Sequence, residues 1–226
     1  MGSNPTGRAI FFRNEISVRV FDDVGSDFVF YSPEVRLAMM DVKKKGKSLL
    51  ATPRDYVVVD IETTGLKPKS YEVIEIAALK VVNHRVIDEF QTLVSPYEDI
   101  DEFIINLTGI TNDMVKDAPG IEQVLPAFME FLGDSIIVGH SVNFDIHFLS
   151  HNMLFHFQRH LSNDFVDTLR LSRRLFPNQP NHKLITLAKY FNLDTTGYHR
   201  ALNDCYMTHG LYIHICEHIE REGIEL

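Results

Sequence analysis

One stretch, Tyr56-Val57-Val58-Val59-Asp60-Ile61-Glu62-Thr63-Thr64-Gly65, limits what the rest of the chain can be. Its apolar first half reads as a strand buried inside a sheet, and it ends in two acids separated by one residue. Strand side chains alternate between faces, so Asp60 and Glu62 point the same way, about 7 Å apart. Carboxylates that close together on a core element need neutralisation. On its own, an Asp-x-Glu motif is most simply a solvated strand end. The other reading is a pair of hard divalent cations at the about 3.5–4 Å spacing that phosphodiester hydrolysis uses, held by carboxylate oxygens. Partners elsewhere in the chain favour the second. Gly65 and the paired threonines add a tight turn in which backbone can approach a ligand.

The 226 residues hold one ordinary domain plus an appendage, and 45% hydrophobic with 23% charged residues matches a soluble globular protein with a sizeable core. Lys and Arg total 22 against 31 Asp and Glu, a net charge of −9, which excludes non-specific coating of nucleic acid. Any such contact must be local and metal-assisted. Cys205 and Cys216 fall in one helical pattern, about 16 Å apart along its axis, too far to bridge within it. A reducing, cytoplasmic compartment is expected. No apolar run reaches the roughly 18 residues of a membrane span and no signal peptide opens the chain, so no membrane partner is expected. Met1-Gly2-Ser3 reads as an added leader.

Residues 1–54 read as an N-terminal extension and linker. Ile16, Val18 and Val20 alternate as in a strand, with residues 28–31 as hairpin partner. A helix capped by Ser32, with Pro33 at its first position, runs to Lys43-Lys44-Lys45 and stops at Gly46. Residues 49–54 read as linker. From residue 55 to 226 the pattern is α/β. Strands at 73–82 and 86–94 form an antiparallel hairpin beside the first strand. Helices are predicted at 110–115 and at 121–132, the latter interrupted or kinked at Pro126. A fourth strand spans 135–139, and Asn143 caps a helix running through Met153. An extended piece at 165–166 precedes helices at 169–176, 184–191 and 201–218.

Two further fragments complete a constellation. Gly139-His140-Ser141-Val142-Asn143-Phe144-Asp145 places one acid just past a strand that can lie beside the first. His199-Arg200-Ala201-Leu202-Asn203-Asp204 places a histidine and another acid at the start of the last helix. Four carboxylates and one histidine can converge. With these motifs, residues from about 55 to 218 resemble the DnaQ-like 3'–5' exonucleases of the DEDDh type, the family of the proofreading exonuclease of bacterial DNA polymerase III. The resemblance implies an RNase-H-like mixed sheet flanked by helices. It also implies two-metal hydrolysis, with Mg²⁺ or Mn²⁺, releasing nucleoside monophosphates from a 3' end. By the same resemblance Asp60, Glu62, Asp145 and Asp204 ligate the two ions, Asp60 between them, and His199 is the general base. Thr63, Thr64, Gly65 and Leu66 would hold the terminal nucleotide, and His140 and Phe144 would line the strand's path.

The expected substrate is DNA, single-stranded by preference. An exoribonuclease of the same fold is the nearest alternative, and a non-catalytic nucleic-acid-binding module is the alternative from another class. The chain departs from some relatives in carrying Thr108 where they have a histidine before Gly109-Ile110. It reads as a stand-alone enzyme or as a piece of a longer protein, with a polymerase or other replication or repair protein as its partner. Histidine pairs four residues apart, His147 with His151 and His214 with His218, have metal-binding spacing without the Glu of a His-Glu-x-x-His motif. Arg170, Arg173, Arg174 and Lys183 form a basic cluster in an acidic chain; a solvated helix face and a phosphate-tracking surface both fit it.

Overall fold

Strand β4 (Tyr56–Thr63) is central to a six-stranded sheet, and its apolar run explains why both of its faces are covered. The computed structural model describes residues 17–21, 27–31 and 45–226. In the first part, β1 (Ser17–Phe21) and β2 (Asp27–Tyr31) pair antiparallel as the hairpin expected from the alternation. The helix predicted from Ser32 toward Gly46 lies outside the described residues.

The remaining strands are β3 (Ser48–Leu49), β5 (Val73–Val82), β6 (Arg85–Leu93), β7 (Ile137–Gly139) and β8 (Phe165–Asp167), in the order β3-β8-β7-β4-β5-β6. Strands β5 and β6 pair antiparallel as the expected hairpin, with β4 beside and antiparallel to β5, whereas β7 lies parallel to β4, β8 to β7 and β3 to β8. Residue 49, predicted as the start of a linker, is thus part of a short edge strand.

The helices are α1 (Glu102–Thr108), α2 (Asn112–Val115), α3 (Ile121–Leu132), α4 (Asn143–Phe157), α5 (Thr168–Leu175), α6 (Leu184–Tyr190) and α7 (Ala201–Glu222). The alternation of β4 sorts them into two layers. Val57, Val59 and Ile61 pack with Val124, Leu125 and Phe128 of α3 and Ile146, Phe148 and Leu149 of α4. Tyr56 and Val58 face the other way, toward Leu171 of α5, Leu187 of α6 and Cys205, Leu211 and Tyr212 of α7.

Three local expectations need correction. Helix α3 continues through Pro126 without a break; the carbonyl denied a partner there is that of exposed Glu122, where water can serve. Asn143 is the first helical residue of α4, not its cap, and its Oδ1 accepts a hydrogen bond from Lys45 Nζ at 2.9 Å. Sequence patterning predicts no helix at Glu102–Thr108, yet α1 forms there, capped by the Asp101 side chain and closed by Gly109 at φ 71°.

Candidate active site

The parity that sends Tyr56 and Val58 toward α7 carries on to Asp60 and Glu62, so both acids leave the sheet on the side where α7 begins. Pairing between β4 and β5 shifts register just after Glu62, a bulge that ends regular pairing where the carboxylates gather. Asp204, in the first turn of α7, is buried, and its Oδ1 accepts from the backbone N–H of His199 at 3.2 Å. One ligand atom each from Glu62, His199 and Asp204 lie within 4.8 Å of one another. Asp145 comes from the opposite layer. It lies in the first turn of α4, and its Oδ1 accepts from Ile61 N–H at 3.1 Å, tying it to the strand between the two acids. Asp60 and Asp204 line one cavity together.

The electrostatics follow from this crowding. Burial, then repulsion from Asp145, Asp204 and Glu62, pushes Asp60 well above the usual carboxylate range. Burial, with Asp204, Glu75 and Asp145 nearby, raises Glu62 to about 8. Asp145 rises to about 8 and Asp204 to about 7, again chiefly through burial. His199 moves the other way, because partial burial lowers its pKa and keeps the imidazole neutral at neutral pH. His199 also has the left-handed backbone (φ 70°), with the Tyr198 ring against it at 3.8 Å between centroids. Carboxylate oxygens in this number, each raised by its neighbours, suit hard divalent cations, whose charge would relieve the repulsion that the side chains impose on one another.

The residues around this centre have varied surroundings. Thr63 is buried and its hydroxyl donates to the Gly65 carbonyl at 2.7 Å. Thr64 Oγ1 accepts from Glu72 N–H at 2.9 Å. A Cβ at Gly65 would overlap the Tyr71 ring, so the turn admits only glycine without that ring moving. Leu66 is 80% exposed at the turn's tip. Both ring nitrogens of His140 are bonded internally: Nε2–H donates to the His182 carbonyl at 2.8 Å, and Nδ1 lies 3.0 Å from the Thr168 hydroxyl. Phe144 is half-buried against Phe148 at 4.9 Å between centroids. Thr108 is turned inward, donating to Ile104 O and accepting from Ile110 N–H.

Of the basic cluster, Arg170 bonds Ser48 and Arg174 bonds the Glu225 carbonyl, while Arg173 and Lys183 line the cavity shared with Asp60 and Asp204. The spaced histidines lie against aromatic rings: His151 stacks on Phe155, His214 on Phe191, and His218 packs against Phe176. One residue that the sequence reading passes over is Glu75, fully buried on β5 directly opposite Glu62. Its signal was an acid inside the apolar run Val73-Ile74-Glu75-Ile76-Ala77.

Comparison with known proteins places the chain in a family and a fold. The exonuclease family model RNase T matches residues 57–212. DNA polymerase III PolC-type of Caldanaerobacter subterraneus subsp. tengcongensis is 41% identical over 180 residues, covering 80% of this chain and 13% of the relative. The PolC-type enzyme of Bacillus subtilis is 40% identical over 172 residues, covering 75% and 12%. The chain therefore spans a small part of the curated relatives it matches. Among solved structures, Exonuclease X in complex with 5' overhanging duplex DNA superposes with a TM-score of 0.61 at 28% identity, covering 75% of this chain and 94% of that one. Exonuclease I of E. coli in complex with a dT13 oligonucleotide shares the fold, with a TM-score of 0.64 at 18% identity, covering 76% and 43%. With its mixed RNase-H-like sheet and its acids gathered at the end of β4, the chain belongs to the RNase T exonuclease family and is a 3'–5' exonuclease domain.

Proposed function

We propose that this domain shortens DNA from its 3' end, single strands in preference to duplexes, releasing nucleoside monophosphates. The observation that carries the reading is the approach of Glu62, His199 and Asp204 ligand atoms to within 4.8 Å on the face where Asp60 emerges. Asp60, Glu62, Asp145 and Asp204 would hold two divalent ions, Mg²⁺ or Mn²⁺. Such ions, when bound, supply Lewis acidity and stabilise charge on the attacking and leaving oxygens. His199, neutral at working pH, accepts the proton of the attacking water at an imidazole nitrogen. A ring nitrogen of His199 lies within 4.8 Å of oxygens of Glu62 and Asp204, and its backbone N–H is bonded to Asp204.

Exposed Leu66 and the Thr63–Gly65 turn offer an apolar tip and backbone groups to the last nucleotide. Phe144, half-buried one residue before Asp145, would line the path of the strand. His140 acts on that path by holding the 181–183 turn, which carries Lys183 to the cavity. Arg173 and Lys183 meet the strand's phosphates there. DNA is favoured because the relatives are named as DNA polymerases and the Exonuclease X structure holds DNA. Residues 55–226 carry the catalytic groups, residues 1–54 are an extension that adds the edge strand β3 to their sheet, and the domain works in the cytoplasm beside or within a replicative polymerase.

The test is a 5'-labelled oligonucleotide, DNA beside RNA, with Mg²⁺ or Mn²⁺ and with excess chelator. A stepwise DNA ladder that chelator abolishes is the expected result. Faster RNA shortening would replace the substrate, binding without cleavage would make the domain a binding module, and cutting of a closed single-stranded circle would make it an endonuclease.

A further inference from the structure

The carboxylate of Glu75 is wholly buried, and three of its four hydrogen bonds go to one target, the N-terminus of α7. Its Oε1 accepts from Arg200 Nη2 at 2.7 Å and from Gln91 Nε2 at 3.0 Å. Its Oε2 accepts from Arg200 Nε at 3.1 Å and from Ala201 N–H at 3.0 Å. Arg200 is the residue before α7 and provides no side-chain cap, so the helix is capped from the sheet by Glu75. A bidentate guanidinium and a helix-end amide on one carboxylate fix both distance and orientation.

What is fixed is the turn between His199 and Asp204. His199 sits at φ 70°, a conformation a non-glycine residue holds only when its surroundings impose it. Its N–H is bonded to Asp204, and Asp204 N–H closes the first helical turn on the Arg200 carbonyl at 3.0 Å. Glu75 stands opposite Glu62 in the β4–β5 register, so the same side chain that clamps α7 is fixed relative to the strand carrying the other acids.

We infer that Glu75, through Arg200, is a positioning residue of the exonuclease: it locks the start of α7 onto the sheet so that His199 and Asp204 face Asp60 and Glu62. This rests on His199 serving as the base. Glu75 itself is fully buried, with both carboxylate oxygens engaged by Arg200, Ala201 and Gln91, so it acts through Arg200 and not on the reacting atoms. Glutamine at this position keeps the shape but, whichever way its amide is turned, brings an NH₂ against an N–H of the guanidinium, donor against donor.

The experiment compares kcat and KM for a 5'-labelled single strand, with Mn²⁺ affinity, among wild type, Glu75→Gln, His199→Ala and the double variant. Glu75→Gln should lower kcat by about 10- to 100-fold, as loss of an orienting partner does, with KM within about threefold. In the His199→Ala background the same change should cost clearly less, because one of the two side chains it orients is gone and only Asp204 remains to be displaced. An equal cost in both backgrounds, or a folded Glu75→Gln enzyme with wild-type kcat, overturns the inference. A wild-type rate in His199→Ala alone overturns the general-base reading and is read separately from the Glu75 arm. If near-ultraviolet circular dichroism shows Glu75→Gln unfolded, Arg200→Lys carries the same test: it keeps the charge, loses the fork, and should again lower kcat more where His199 is present than where it is absent.

Discussion

At the scale of single residues, the four acids and the histidine should fail in different ways. Asp60→Ala removes the carboxylate most crowded by the others and should abolish both Mn²⁺ binding and turnover, read by calorimetry and by the labelled-strand assay. His199→Ala should keep Mn²⁺ affinity nearly intact and lower the rate by about 10²–10⁴. Loss of metal in that variant would make His199 a ligand, a role its closeness to Glu62 and Asp204 would accommodate. Glu62 gives a pH test whose sign is fixed. Its folded pKa of about 8 exceeds its ordinary 4.5, so in chelator the folded state binds the extra proton. Its contribution to stability is therefore full below 4.5 and lost as pH rises through 8. Buried histidines such as His140 and His209 act oppositely, since burial lowers their pKa, so the variant comparison is what isolates Glu62. In chelator, Glu62→Gln should raise the melting temperature over wild type progressively from pH 5 toward pH 8. With Mg²⁺ present the order should reverse, because the cation binds the native site of the wild type.

At the scale of elements, the layers on either side of β4 hold the acids in place by ordinary packing. Phe128 is fully buried where α3 meets the sheet and packs edge-on against Phe90 at 5.6 Å between centroids. Phe128→Ala should cost about 3–5 kcal/mol in urea unfolding, the usual cavity penalty for a buried aromatic. Most of these elements are legible from local pattern. The apolar run of β4, the hairpin of β5 and β6 and the long α7 each carry their own periodicity. Strand β3 is not legible, because two residues have no period and their partner, β8, lies far along the chain. Helix α1 is a different case: Asp101 and Gly109 are ordinary start and stop signals, but the seven residues between them, with exposed Phe103 and Leu107, lack a clean apolar stripe. The motif residues are legible as a constellation, whereas Glu75 is not. Its meaning depends on Arg200, 125 positions away, and only the fold brings the two together.

At the scale of the whole molecule, a chain with net charge −9 must attract a polyanion through few contacts. Among the described residues, Arg173 and Lys183 line the cavity that holds Asp60 and Asp204, and the proposed phosphate path runs past them. Arg173→Ala with Lys183→Ala should raise KM with little change in kcat, and should flatten the dependence of log KM on log salt by about 0.7 per lost phosphate contact on a single strand. Unchanged salt dependence would move the phosphate path elsewhere. The alternation along β4 has a further consequence for how this molecule tolerates change. Even-numbered positions from Tyr56 to Glu62 face α7, and odd-numbered ones face α3 and α4. Inserting one residue between Tyr56 and Asp60 would invert that assignment, driving both carboxylates into the Phe128 and Phe148 packing and turning valines toward the cleft. Length in this strand is therefore conserved by arithmetic: insertions or deletions there are admissible only in pairs, whereas the exposed turn around Leu66 can vary in length without exchanging interior for reaction centre.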